Sequence, residues 1–245
     1  MSENIIREDR YIGKWVYPKN NSLNAYVGRN GNKHNFEIIE TDIENKIKLK
    51  KEDVILDVCC GNALITSKMA KSCQFIYGVD YSDILINQAK EMAEKNGLKN
   101  ISYTCADAIS VKNIFRENFF DKIICYCALQ HFDHKESGAL IKNLLYVTKI
   151  GGHILIGDIP NKNKKINYKL ANLKSLIKNG KALSFIGQKF HRILYGNKNS
   201  GKFGYWYNPK DLVEICTKFG VKATILKQKH NLPHSHYRFD LLIEK

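Results

Sequence analysis

The chain has no run of about 18 apolar residues, the length a helix needs to cross a bilayer, so no transmembrane segment is expected. Its opening residues, Met1-Ser2-Glu3-Asn4, lack the basic start and apolar stretch of a secretory signal, and the expectation is a cytoplasmic protein. Proline is scarce: Pro18, Pro160, Pro209 and Pro233, none adjacent, and no cysteine follows one. The seven cysteines are odd in number and contain no C-x-x-C pair, which argues against both a disulfide framework and a zinc site. Five of them (Cys59, Cys60, Cys105, Cys125, Cys127) lie in or at the ends of apolar runs, as free buried thiols of a reducing compartment do.

Acid is also missing locally. From Ile159 to Lys210 there is no Asp or Glu, while twelve of the chain's 39 Lys and Arg lie there. The remaining 27 face all 24 acidic residues, so most of the net charge of +15 sits on this stretch. A lysine-rich composition explains many lysines but not the missing acids. The stretch is expected to face something anionic: phosphate, nucleic acid, an acidic glycan or a membrane surface.

What is present is an alternation of strand and helix over 245 residues. Apolar runs at Val54–Val58, Phe75–Val79, Ile101–Cys105, Ile123–Cys127 and His153–Gly157 read as strands, the last entered by a turn at Gly151-Gly152. Helices are expected at Asn35–Lys48, at Ala63–Ser72, after Ser82 as N-cap up to Asn96-Gly97, and after an Asp133/Glu136 capping box. Such alternation implies a parallel sheet covered by helices on both faces. After a helix at Lys210–Phe219, the runs Val221–Leu226 and Tyr237–Ile243 have no helix between them and must form an antiparallel hairpin. Its loop leaves the carboxyl end of a strand parallel to the others. Residues 1–34 read as a lid segment on a domain spanning 35–245, interrupted by a basic insert at 161–207. In that insert Ile166, Leu170, Leu173 and Ile177 share one face of an expected helix, Ile166–Lys178.

The chemistry gathers at strand ends. Asp57-Val58-Cys59-Cys60-Gly61-Asn62-Ala63 closes the first strand, and Gly78-Val79-Asp80-Tyr81 closes the second. A small-residue turn opening a helix, followed by an acid at the next strand end, holds the ribose of an adenosine-containing cofactor. Taken singly, Asp80 and Asp107 could be helix N-caps; three acids on successive strand ends match three polar handles of one cofactor.

On these residues the chain resembles the class I S-adenosylmethionine-dependent methyltransferases, over Val54 to Asp158 and again in the terminal hairpin. The resemblance implies an α/β, Rossmann-like seven-stranded sheet, mostly parallel with a C-terminal antiparallel hairpin. It implies S-adenosylmethionine as cofactor. The family's acid-x-Gly-x-Gly-x-Gly keeps only its middle glycine, Gly61; Cys59 and Ala63 stand at the other two. By this resemblance Asp57 and the Cys59, Cys60 and Gly61 backbone hold the methionine end, Asn62 belongs to the same cofactor-binding set, and Asp80 binds the ribose hydroxyls. Tyr81 packs on the adenine, Asp107 beside Ala108 accepts from its amino group, and Cys125 and Tyr126 lie beside the sulfonium. An NAD-binding domain, the rival, usually needs the fuller glycine pattern and lacks the hairpin.

For the acceptor, no Asn/Asp-Pro-Pro-aromatic motif and no Pro-Cys nucleophile is present, as two kinds of nucleobase methylation would require. The sequence Cys125-Tyr126-Cys127-Ala128-Leu129-Gln130-His131-Phe132 looks instead like small-molecule enzymes, where Leu-x-His is common. His131 is the candidate base, since imidazole titrates near neutrality; its plain alternative is to cap or pack the next helix. Asp158 could orient an acceptor hydroxyl or be a loop turn residue, and Tyr126 completes the catalytic set. His230, His234, His236, Tyr237 and Arg238, with Lys229, could bind an anionic acceptor; a metal on the histidines lacks a nearby acid. The stretch Leu232–Asp240 faintly resembles methyltransferases of bacterial surface-glycan clusters. The expected function is O-methylation of a small polar or anionic metabolite or glycan precursor. An RNA methyltransferase whose insert tracks phosphates is the alternative, and a basic interfacial helix at Ile166–Lys178 is a third reading.

Overall fold

The computed structural model describes residues 33–168, 170, 204–232 and 234–245. Residues 1–32 of the expected lid and 171–203 of the basic insert lie outside these, with most of the expected Ile166–Lys178 helix; a helical turn at 165–168 is described.

Five strands follow the apolar runs: β1 Val54–Val58, β2 Phe75–Asp80, β3 Ile101–Cys105, β4 Phe120–Tyr126 and β5 Thr148–Pro160. The hairpin supplies β6 Lys222–Lys227 and β7 Arg238–Glu244. The helices are α1 Lys33–Ile47, α2 Thr66–Met69, α3 Asp83–Lys95, α4 Val111–Ile114, α5 His134–Val147 and α6 Pro209–Lys218. Among the described residues seven strands form one sheet, in the order β3-β2-β1-β4-β5-β7-β6. β7 runs antiparallel to both its neighbours, and the other pairs are parallel. Strand order reverses between β1 and β4, and in an open α/β sheet the crevice beyond the carboxyl ends at such a point receives ligands.

Because side chains alternate across a strand, each central strand feeds two cores. Leu56, Ile123 and Ile154 pack with Leu140 and Leu144 of α5 and Leu212 of α6. Ile55, Ile124 and Leu155 pack with Ile39, Ile43 and Ile47 of α1 and with Met69. Each such fully buried side chain stabilises the fold by roughly 1.5–3 kcal/mol. Caps fix the helix starts: Ser82 Oγ accepts the Leu85 N–H at 3.3 Å, and Asp133 with Glu136 forms a reciprocal capping box, both as the sequence implies. At α6, Asn208 is the cap and Pro209 takes the first turn, so the helix spans one residue earlier than the expected Lys210–Phe219.

Two elements differ from expectation. The helix expected from Ala63 starts only at Thr66, and Ala70–Ser72 closes it as a 3-10 turn. The cause is backbone conformation: Gly61 and Ala63 are left-handed, with φ +57° and +60°, and hold the chain out of the helical region. The glycine pair Gly151-Gly152 is not a turn before β5 but lies inside it. Pairing with β4 jumps there from Phe120↔Thr148 to Lys122↔His153. A Cβ on Gly152 would sit 2.8 Å from the Lys149 carbonyl oxygen and 2.9 Å from that of Asp121, so the bulge admits only glycine. The hairpin strands β6 and β7 each begin one residue later than expected. Burial of the cysteines is also uneven: Cys73, Cys125 and Cys216 are buried, Cys59, Cys60 and Cys127 half-buried, and Cys105 is exposed at the sheet edge.

Candidate active site

The turn leaving β1 is built on three left-handed residues, Cys59, Gly61 and Ala63, at φ +59°, +57° and +60°. These are the three positions at which the resemblance places glycine. For Cys59 and Ala63 that conformation costs about 1–2 kcal/mol each. The turn is tied to the end of β2: the Cys60 N–H donates to the Val79 carbonyl at 3.1 Å and the Gly61 N–H to Asp80 Oδ2 at 2.8 Å. Asp80 Oδ1 accepts the Ser82 N–H at 3.0 Å. One carboxylate thus joins the β1 turn to the start of α3, while Ser82 serves as the helix cap. Burial raises the Asp80 pKa against the pull of these hydrogen bonds.

Asp57 lies beneath the turn and accepts a hydrogen bond from the Thr66 hydroxyl. Burial first, and then the neighbouring Asp80 charge, push its carboxyl well above the ordinary range. The neighbouring Cys125 side chain and then burial push the Cys59 thiol well up. Asn62 and Ala108 are buried beside the turn and the β3 end. Asp107 does cap a 3-10 turn, accepting the Ile109 N–H at 2.9 Å through Oδ1. Tyr81 is exposed at the crevice edge.

Just past β4, and at the register shift two residues before the end of β5, the backbone is again left-handed, at Cys127 (φ +60°) and Asp158 (φ +61°). With Cys59, three neighbouring strands carry a non-glycine in this conformation at or near their carboxyl ends, and such strain clusters at functional sites. The Tyr126 ring packs against Gly157, where a Cβ would come within 2.2 Å of Tyr126 Cδ2. Its phenol oxygen meets Gln228 Nε2 at 3.4 Å.

Asp158 is buried among protein partners. Gln228 Nε2 donates to its Oδ1 at 3.1 Å, and Arg238 Nη1 donates to its Oδ2 at 3.0 Å and to its carbonyl at 2.7 Å. Arg238 Nη1 also donates to Gln130 Oε1 at 2.9 Å. Gln130 Nε2 lies 3.5 Å from His131 Nε2. On the other side Gln228 Nε2 donates to Asp240 Oδ1 at 2.9 Å, whose second oxygen meets Lys46 Nζ at 2.7 Å. A polar chain therefore runs from α1 through the sheet to His131.

Of the hairpin residues, Arg238 joins this chain and Tyr237 is buried in an aromatic group. Its ring centroid lies 4.9 Å from that of Tyr168 and 5.8 Å from that of Trp206. His234 and His236 pack on Tyr237 at 5.3 and 4.9 Å, whereas His230 is exposed farther along the loop. The sequence reading missed Gln130, Gln228, Asp240 and Lys46. Asp240 left a signal, an acid inside the apolar run of β7; the glutamines left none.

A sheet in this order, with a strained small-residue turn stitched to the acid of the next strand, defines a Rossmann-like methyltransferase fold. Residues 49–211 match the family model described as a methyltransferase domain. The chain belongs to that family. It is 40% identical over 124 residues to the ubiquinone biosynthesis O-methyltransferase of Coxiella burnetii, covering 50% of each chain. To the enzyme of the same name from Rickettsia typhi it is 28% identical over 193 residues, 77% of this chain and 69% of that protein. The chain thus spans about half the length of the first of these curated relatives. Among solved structures, phosphoethanolamine N-methyltransferase 1 of Haemonchus contortus superposes with a TM-score of 0.68 at 11% identity, over 99% of this chain and 49% of that one. Magnesium protoporphyrin IX methyltransferase of Synechocystis gives 0.59 at 16% identity, over 98% and 94%. At these identities the likeness is one of fold. Among the described residues no helix is long and apolar enough to cross a membrane.

Proposed function

We propose that the protein transfers the methyl group of S-adenosylmethionine to an oxygen of a small polar acceptor. The observation that carries this reading is the stitch between Asp80 and the β1 turn at the point where strand order reverses. When bound, the cofactor supplies a methyl carbon already activated by a sulfonium. The residues fit it. Each Asp80 oxygen accepts one backbone N–H, and a carboxylate oxygen has two lone pairs, so Asp80 can also accept the ribose hydroxyls. Tyr81 offers an exposed ring to the adenine, with Asp107 and Ala108 beside it. The Cys59–Asn62 backbone over Asp57 takes the methionine end, and Cys125 and Tyr126 line the sulfonium.

Methyl transfer is an in-line displacement, so the protein's work is to align the acceptor oxygen and take its proton. The oxygen–methyl bond forms as the sulfur–methyl bond breaks, and His131, half-buried just past β4, takes the proton. O-methylation rests on the names of the two bacterial relatives. The test is transfer of radiolabelled methyl into fractionated cell extract, followed by mass identification of the product. Label in a small molecule as a methyl ether or ester supports the reading; label confined to RNase-sensitive material overturns it.

A further inference from the structure

We infer that Arg238 is the receptor for a carboxylate or phosphate on the acceptor, presented through the Nε–Nη2 edge of its guanidinium. The inference deepens the function proposed above and rests on it for the word acceptor.

A guanidinium carries five N–H donors in a planar fork. In Arg238 one nitrogen, Nη1, meets three acceptors among the described residues: the Asp158 carbonyl at 2.7 Å, Asp158 Oδ2 at 3.0 Å and Gln130 Oε1 at 2.9 Å. Nε is buried and has no hydrogen-bond partner among the described residues. A buried donor without a partner is rare and costly in a native protein, and an anion on this edge would satisfy it. The Nε–Nη2 edge is the geometry that grips the two oxygens of a carboxylate or phosphate in parallel, which a lysine cannot do.

The group is also held in place before any ligand arrives. Asp158 and Gln130 clamp one end, and the guanidinium carbon lies 5.5 Å from the centroid of the Tyr237 ring. Tyr237 is itself wedged against Tyr168 and Trp206. Little freedom remains to be lost on binding. The position suits an acceptor: Arg238 opens β7 opposite Pro160, and Gln130 links it to His131. Charge adds to this. Asp158 neutralises Arg238 formally, but the Lys165 ammonium sits 5.7 Å over the Trp206 ring, and Lys229 lies on the same loop.

The test is calorimetric titration with inorganic phosphate and, separately, with benzoate, in the presence and absence of S-adenosylhomocysteine. The wild-type protein should bind one of the two, and which one names the acceptor's group. Arg238→Lys should weaken that binding about tenfold or more, with S-adenosylhomocysteine affinity unchanged. Because Arg238→Lys could unbalance Asp158, the double variant Arg238→Met, Asp158→Asn removes both charges together and keeps a residue that tolerates the left-handed backbone. It should lose anion binding and retain the cofactor product. Wild-type protein that binds neither anion, or variants that bind as tightly as wild type, would overturn the receptor. Failure to bind S-adenosylhomocysteine is a separate outcome: it strikes the cofactor reading, while the anion titrations without it still decide on Arg238.

Discussion

Asp80 and Gly61, 19 residues apart, are joined by a 2.8 Å hydrogen bond from the glycine amide to the carboxylate. The same side chain therefore shapes the turn and, in the function proposed above, also receives the ribose. Asp80→Ala removes a negatively charged acceptor from both tasks. Two charge-assisted hydrogen bonds at about 1.5–3 kcal/mol each predict a loss of cofactor affinity of at least a hundredfold. Calorimetry with S-adenosylhomocysteine measures it, and unchanged affinity would remove Asp80 from the cofactor site.

Ala63 is fully buried yet left-handed. Ala63→Gly relieves about 1 kcal/mol of backbone strain and loosens the unfolded chain by a similar amount. The stability change should stay within about 1 kcal/mol, with activity kept. Ala63→Val puts a branched Cβ into the same conformation and should cost more than about 2 kcal/mol. Urea unfolding compares the two; equal costs would mean that space, not backbone, constrains the position.

Lys46 and Asp240 form a pair at 2.7 Å in which the carboxylate is fully buried. Lys46→Met strands that charge and should destabilise by about 3–5 kcal/mol. Adding Asp240→Asn should restore much of the loss. A double variant no more stable than the single one would show that the charge is not the cause.

His131→Ala should lower turnover by about a hundredfold or more, as loss of a general base does, with cofactor affinity kept. Binding and single-turnover rates separate the two effects. Full activity would assign the proton to another group.

Asp57 has its carboxyl held well above its ordinary value of 3.8. Such a group binds its proton more tightly folded than unfolded. Its contribution is therefore fullest below that value and is lost as pH rises through the raised one. Asp57→Asn cannot ionise, so its Tm relative to wild type should grow with pH above about 4. A difference that stays constant across neutral pH would contradict the direction of the shift.

The alternation of apolar runs made the strand order's ingredients legible, because parallel strands buried on both faces read as continuous apolar stretches such as Val54–Val58. Ser82 and the Asp133/Glu136 box marked helix starts for the same local reason. The delayed start of α2 was hidden, since Cys59 and Ala63 carry no glycine signal for the conformation they adopt. The bulge at Gly151-Gly152 looked like a turn, because both need glycine. On the site, the strand-end acids stood out by spacing. Gln130 and Gln228 did not, since their hydrogen bonds reach partners 108 and 102 residues away.

The two ends of the basic insert meet at a neck. Tyr207 donates its N–H to the Pro160 carbonyl at 2.9 Å, and its carbonyl accepts from Lys162 at 2.8 Å. The Tyr207 hydroxyl then reaches back to the Phe132 carbonyl at 2.5 Å. An excursion closed at its base behaves as a cassette. The strands on either side are fastened at 160, 162 and 207, so the sheet can close its own register without reference to the length of chain carried between those fasteners.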